Sequence, residues 1–145
     1  MALMYYPRDG EVVQCDFSGH RVPEMVKTRP VIVIGPRLRR RGDLATIVPL
    51  STTQPRNIEP WNVAVTLLDP LPAPFDAMTC WAACDLVSSL SVERLDRFRP
   101  PKPRYGKRGH WVTSRILTED LMRVRQGVAH ALGFGILDFS RKTAT

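Results

Sequence analysis

Two short segments hold the residue types from which a reactive site is built. The first is Lys27-Thr28-Arg29-Pro30-Val31-Ile32-Val33-Ile34, where an arginine stands between a polar loop and a β-branched run. Pro30 biases Arg29 toward extended backbone. A strand then fixes the guanidinium while leaving it open to a ligand, which suits an anion. The second is Val48-Pro49-Leu50-Ser51-Thr52-Thr53-Gln54, in which three hydroxyls and an amide close a hydrophobic run. Taken alone, each has a plain structural reading, a strand-end charge in one case and turn chemistry in the other.

Other chemistries lack their residues. The sequence contains no Gly-rich phosphate loop, no HExxH, no paired histidines and no serine-centred nucleophile elbow. His130 falls on the polar side of the last predicted helix and reads as solvated, and His110 adjoins a basic loop. Only His20 lies in a loop with other polar candidates. Cys80-x3-Cys84 has the spacing of half a metal site, but Cys15 is the only other thiol and no zinc-type cluster exists. The cysteines therefore read as reduced, small buried hydrophobes.

The elements that position these residues read as mainly β. Strands are expected at Gly10–Phe17, Pro30–Ile34, Leu44–Leu50, Trp61–Leu67 and Cys80–Val87, with a further short one at Trp111–Thr113. Pro49 predicts an edge or a bulge at the end of the third strand. Trp61, Val63, Val65 and Leu67 alternate onto one face, and the pattern is expected to bury Trp61 and Trp81. Ser91 predicts the N-cap of a short helix, with Leu90 stapled against Leu95. Thr118 predicts the cap of a longer one, with Leu121, Val124, Val128 and Leu132 as its apolar stripe and Gly133 as its end. Gly127 inside it should weaken the helix by roughly 1 kcal/mol relative to alanine. Short strands with intervening turns and two helices suggest a small bent sheet or barrel.

The chain has 145 residues, 43% hydrophobic and 24% charged, consistent with one domain over 1–145. No run is long enough to span a membrane, and the N-terminus lacks the pattern of a secretory signal, so a cytoplasmic protein is expected. The net charge of +7 is uneven. Residues 1–96 hold ten Lys/Arg against eleven Asp/Glu, whereas residues 97–145 hold eleven against three. Residues 97–145 thus form a basic loop and a C-terminal helix extension. Arg97–Gly109, with six Lys/Arg and no acid, reads as an exposed loop. Such a surplus favours a polyanionic partner.

Four segments in order carry a resemblance. They are Gly10-Glu11-Val12-Val13 with Asp16-Phe17, Arg29-Pro30-Val31-Ile32-Val33, Pro49 with Thr52-Thr53-Gln54, and Cys84-Asp85-Leu86-Val87-Ser88-Ser89-Leu90. Over roughly residues 8–98 they resemble the MazF/PemK family of toxins from type II toxin–antitoxin modules. The resemblance implies an SH3-like small β-barrel of the MazF/PemK/CcdB type with added helices, assembled as a homodimer. It implies an endoribonuclease that cuts single-stranded RNA, usually mRNA, with no metal and no cofactor, and that a cognate acidic antitoxin neutralises. Arg29 matches the family's catalytic arginine, Thr52 its catalytic threonine and Asp85 its aspartate. Ser51 and Thr53 are alternatives to Thr52.

The chemistry fits that inventory. RNA carries its own nucleophile, the 2′-OH, so the protein must move protons and stabilise a doubly charged phosphorane. Arginine supplies donors and a permanent charge, and threonine holds a phosphate oxygen or orients the 2′-OH. The proton acceptor is open among Asp85, Glu24 and His20. Lys27, Ser51, Thr53 and Gln54 are candidate RNA contacts. The basic loop (Arg99, Lys102, Arg104, Lys107, Arg108) is a candidate track for the RNA backbone, with Trp111 beside it as a stacking platform. The competing reading is a non-catalytic barrel, either a gyrase-binding toxin or an RNA binder that does not cut.

Overall fold

A computed structural model describes residues 3–134. Eight strands form one antiparallel assembly: β1 (Glu11–Cys15), β2 (Arg29–Val33), β3 (Leu44–Ser51), β4 (Asn62–Thr66), β5 (Thr79–Ala83), β6 (Ser88–Ser91), β7 (Leu95–Asp96) and β8 (Ser114–Arg115). One helix, α1 (Thr118–Ala131), follows them. The order is β4-β5-β3-β2-β1-β7, with β6 on β3 and β8 on β1. The β-rich expectation with a C-terminal helix holds at this level. No ladder joins β4 to β7 among the described residues; past the end of β4 a single bridge, Leu67 opposite Ile116, reaches the β8 side of β1.

The β-branched run at Pro30–Ile34 forms β2 because both its faces are covered. Ile32 packs with Val12, Val48 and Leu50 on one side, under Leu121 and Val124 of α1. Val31 and Val33 pack with Val13, Cys15, Phe17 and Ile47 on the other. Period-2 alternation along β1, β2 and β3 sorts neighbouring residues into these two cores.

Pro49 is not at an edge. It opposes Val31 of β2, and it falls where β3 changes its other partner. Register with β6 ends at Ile47 and register with β5 begins at Leu50. A residue without an N–H is tolerated at that changeover. The fifth strand ends at Ala83, and Cys84–Leu86 is a 3-10 turn. The Ser91 hydroxyl does cap, accepting from Glu93 N–H at 3.2 Å. The helix it starts is a single 3-10 turn, because Leu95 pairs with Cys15 directly afterwards. Leu117, not Thr118, stands at the N-cap of α1, without a side-chain cap. Leu132 lies past the last turn and is exposed.

Two loop residues are structural. Phe98, inside the stretch expected to be exposed, is buried and exchanges both backbone hydrogen bonds with Val112 at 2.7 Å. The strand expected at Trp111–Thr113 is reduced to that bridge. Residues 101–110 are exposed as expected. The extension over 97–145 is seen through 134, and residues 135–145 lie outside the described part.

Gly127 is a packing requirement. A Cβ there would meet Cys84 Sγ at 2.8 Å and Val63 Cγ2 at 3.0 Å. The overpacking cost of about 1–3 kcal/mol exceeds the ~1 kcal/mol that alanine normally adds to a helix. Gly127→Ala should therefore lower the denaturation midpoint, and a raised midpoint would show that α1 can move off the turn freely.

All three cysteines are buried and free. Burial pushes the Cys15 and Cys84 thiols up to about 12 from an ordinary value of 9.0, with Asp85 adding to the shift at Cys84. The folded pKa is raised, so the unfolded chain loses these protons first as pH climbs. Their contribution to stability is full below pH 9.0 and is lost between there and about 12. A melting temperature that stays flat across that window would show that the thiols ionise freely in the native state.

Candidate active site

Arg29 and Thr52 share a cleft. Arg29 opens β2 opposite Cys15 of β1, and Thr52 follows the last residue of β3. With Ser51, Pro74, Phe75 and Cys80 they line a volume of about 190 Å³. Phe75, from the proline-rich connection, is held edge-on to buried Phe98 at 5.9 Å. The Arg29 Nε is buried and has no hydrogen-bond partner. A guanidinium nitrogen left that way lacks an acceptor of the kind an anion supplies.

The three hydroxyls are not equivalent. Ser51 Oγ accepts from Thr53 N–H at 3.1 Å and so fixes the turn. Thr53 lines a different cleft, with Gln54, Arg56, Asn62 and Trp81. The exposed Thr52 hydroxyl makes no hydrogen bond among the described residues.

Asp85 and His20 do not join Arg29. They line a second cleft of about 210 Å³ with Phe17, Glu24, Met25 and Ser88, and the two clefts share no lining residue. The separation comes from β5. Cys80 at its start lines the Arg29 cleft, and the strand runs about 10 Å, at ~3.3 Å per residue, before the turn that carries Asp85. His20 is placed by Phe17, edge-on at 5.5 Å, and by Glu24, whose Oε2 lies 3.6 Å from Nδ1. Asp85 is exposed on its 3-10 turn. The four catalytic candidates are therefore two pairs.

Of the tryptophans, Trp61 keeps its expected core contact and Trp81 does not. Trp61 packs on the core and its ring stacks on His130 at 6.3 Å, so His130 is not simply solvated. Trp81 is not a core residue. Cys80 and Ala82 take the buried face of β5, and Trp81 is half-buried on the other. The same alternation is legible in the sequence. Trp111 is covered by cations, with the Arg97 and Arg99 guanidiniums 5.5 and 5.3 Å from its ring.

The basic loop is folded back on itself. The Phe98–Val112 pair closes it, Arg108 Nε donates to Pro100 O at 2.7 Å, and Arg104 lies over Tyr105 at 5.7 Å. Arg99, Lys102, Arg104, Lys107 and Arg108 are all exposed, and none is paired with a carboxylate among the described residues. Lys27 and Gln54 are likewise exposed and unpaired. No described helix is long and apolar enough to cross a membrane.

Similarity to known proteins follows the same outline. The Escherichia coli K12 protein YifN is 30% identical over 122 residues, covering 68% of this chain and 78% of that one. MazF from Deinococcus radiodurans superposes with a TM-score of 0.60 at 19% identity, over 89% of this chain and 98% of that one. A mycobacterial endoribonuclease in complex with its cognate antitoxin gives 0.57 at 22% identity, over 88% and 95%. At these identities the likeness of the solved structures is one of fold. Residues 8–131, which include the basic loop and α1, match the family described as PemK-like, MazF-like toxin of type II toxin–antitoxin system, and the chain belongs to that family.

Proposed function

We propose that this chain is the toxin of a type II toxin–antitoxin pair and acts as an endoribonuclease on single-stranded RNA, arresting growth by cutting mRNA. The observation that carries the reading is the Arg29–Thr52 cleft: a buried guanidinium nitrogen without an acceptor beside a free hydroxyl. A scissile phosphate supplies what both lack. The 2′-oxygen attacks phosphorus, and the bond from phosphorus to the 5′-oxygen breaks. The 2′-OH proton passes to an acceptor, and the leaving 5′-oxygen takes a proton. The products are a 2′,3′-cyclic phosphate and a 5′-OH end. Arg29 stabilises the added charge of the phosphorane, and Thr52 holds one of its oxygens.

The proton acceptor belongs to the second cleft or to solvent, since no carboxylate or imidazole lines the first. Asp85, His20 and Glu24 are its candidates, and singly substituted Asp85→Asn, His20→Ala and Glu24→Gln chains decide among them. Three variants that cut at the parent rate assign the proton to solvent.

In this reading the sheet is an SH3-like barrel, the whole chain is one domain and two copies form the working unit in the cytoplasm. The exposed cations of residues 97–110 track the RNA backbone and, in the inhibited state, take an acidic segment of the antitoxin. Lys27, Ser51, Thr53 and Gln54 border the RNA path.

The purified chain should cut single-stranded RNA in EDTA and leave 5′-OH ends. Arg29→Ala and Thr52→Ala should each slow cutting by at least about 100-fold while the circular dichroism spectrum is kept. An Arg29→Ala chain as fast as the parent removes the assigned site, and RNA binding without new ends supports the non-catalytic alternative. Neutralising Arg99, Lys102, Arg104, Lys107 and Arg108 together should flatten the salt dependence of RNA binding by about 0.7 per lost phosphate contact. An unchanged slope would make the loop a solvated surface.

A further inference from the structure

Trp81 occupies an unusual position for so large an aromatic. Its cross-strand neighbours are Ser51 on β3 and Ala64 on β4. Both are small, and the indole stays half-exposed. It walls a cleft of about 470 Å³ completed by Thr53, Gln54, Arg56 and Asn62. Among the described residues the Gln54 and Arg56 side chains have no hydrogen bond or ion pair. Asn62 Oδ1 accepts from Glu59 N–H at 2.9 Å, which leaves the amide donors of Asn62 unused.

This cleft adjoins the Arg29–Thr52 cleft. Ser51 lines both, and the chain passes from one to the other across Thr52. A half-exposed indole beside the free Gln54 amide and the free Asn62 NH2 is the inventory that accepts an unpaired base: the ring stacks on its face, Gln54 meets donors and acceptors along its edge, and Asn62 donates to an acceptor. Arg56 adds a charge suited to a phosphate.

We propose that the Trp81 cleft is a base-recognition subsite, in which the nucleotide beside the scissile phosphate stacks on Trp81 and is read by Gln54 and Asn62. The proposal rests on the ribonuclease reading only for what lies next door, since stacking does not require cutting.

The test uses the full chain and short 2′-O-methyl RNA oligonucleotides, which lack the attacking hydroxyl and stay intact. Trp81→Ala should weaken their binding about tenfold or more. Trp81→Phe should bind within about threefold of the parent, since phenylalanine also stacks, and should lose most of the RNA-induced quench of tryptophan fluorescence. On cleavable RNA, Gln54→Ala should change the base preferred at one position next to the cut. Binding by Trp81→Ala equal to the parent's, or a full quench in Trp81→Phe, overturns the proposal, as does a parent that binds an acidic peptide but no oligonucleotide. If Trp81→Ala fails to fold, the Trp81→Phe quench decides. Expected Trp81 results without any cutting by the parent leave the subsite standing and remove the ribonuclease reading. Cutting at unchanged positions by Trp81→Ala does the reverse.

Discussion

The structure depends on β2 being buried on both faces. Alternate residues of this one strand enter two cores, Ile32 into one and Val31 with Val33 into the other. Each fully buried aliphatic side chain contributes on the order of 1.5–3 kcal/mol, and shifting the register by one residue would exchange every one of them between cores. The register with β1 and β3 is therefore fixed, and so is the residue that begins the strand. Arg29 needs no salt bridge to hold it, because the backbone behind it has no alternative. Its guanidinium reaches into a cleft with one nitrogen buried and unsatisfied.

The second fixed point is the approach of α1 to the turn after β5. Gly127 lets the helix come within van der Waals contact of Cys84 and Val63. That contact packs the 3-10 turn against a rigid element, and Asp85 stands on that turn. At the other end of β5 the same strand carries Cys80 and Trp81 beside Arg29 and Thr53. Strand β5 is thus a ruler: its length sets the distance between the arginine cleft and the carboxylate cleft. Two clefts at opposite ends of one strand suit an extended ligand better than a compact one.

Much of this was legible from residue order. The continuous Val31-Ile32-Val33 run announced a strand covered on both faces, and the alternation from Trp61 to Leu67 announced a half-buried one. Arg29 and Thr52 were found as strand-end residues, and the structure does bring them together. What escaped depends on neighbours distant in sequence. Nothing local ends β5 at Ala83; the glycine of a helix more than forty residues later receives Cys84. Phe98 looks like part of a charged loop because Val112, its partner, comes after all of that charge. The strand pattern is expected to bury Trp81, but the strand's buried face is taken by Cys80 and Ala82, which places Trp81 on the other. The helical pattern places His130 on the polar side of α1, and Trp61, on which it stacks, lies outside that helix.

The uneven charge completes the division of labour. Through residue 96 the chain carries nearly balanced charge, so an anion in the Arg29 cleft would meet one placed guanidinium and not a general field. Beyond it the surplus collects in a hairpin whose base is pinned by Phe98 and Val112 and whose tip is all exposed. Two of its arginine guanidiniums already lie near the Trp111 ring, which holds them without neutralising them. Charges kept apart from carboxylates attract a polyanion at long range and lose their hold as salt rises. Arg29, partly buried with its Nε covered, is less open to that screening. On the proposed reading the sequence separates capture from chemistry: capture rests on the exposed cations after residue 96, and chemistry on the partly buried Arg29, positioned by a strand covered on both faces.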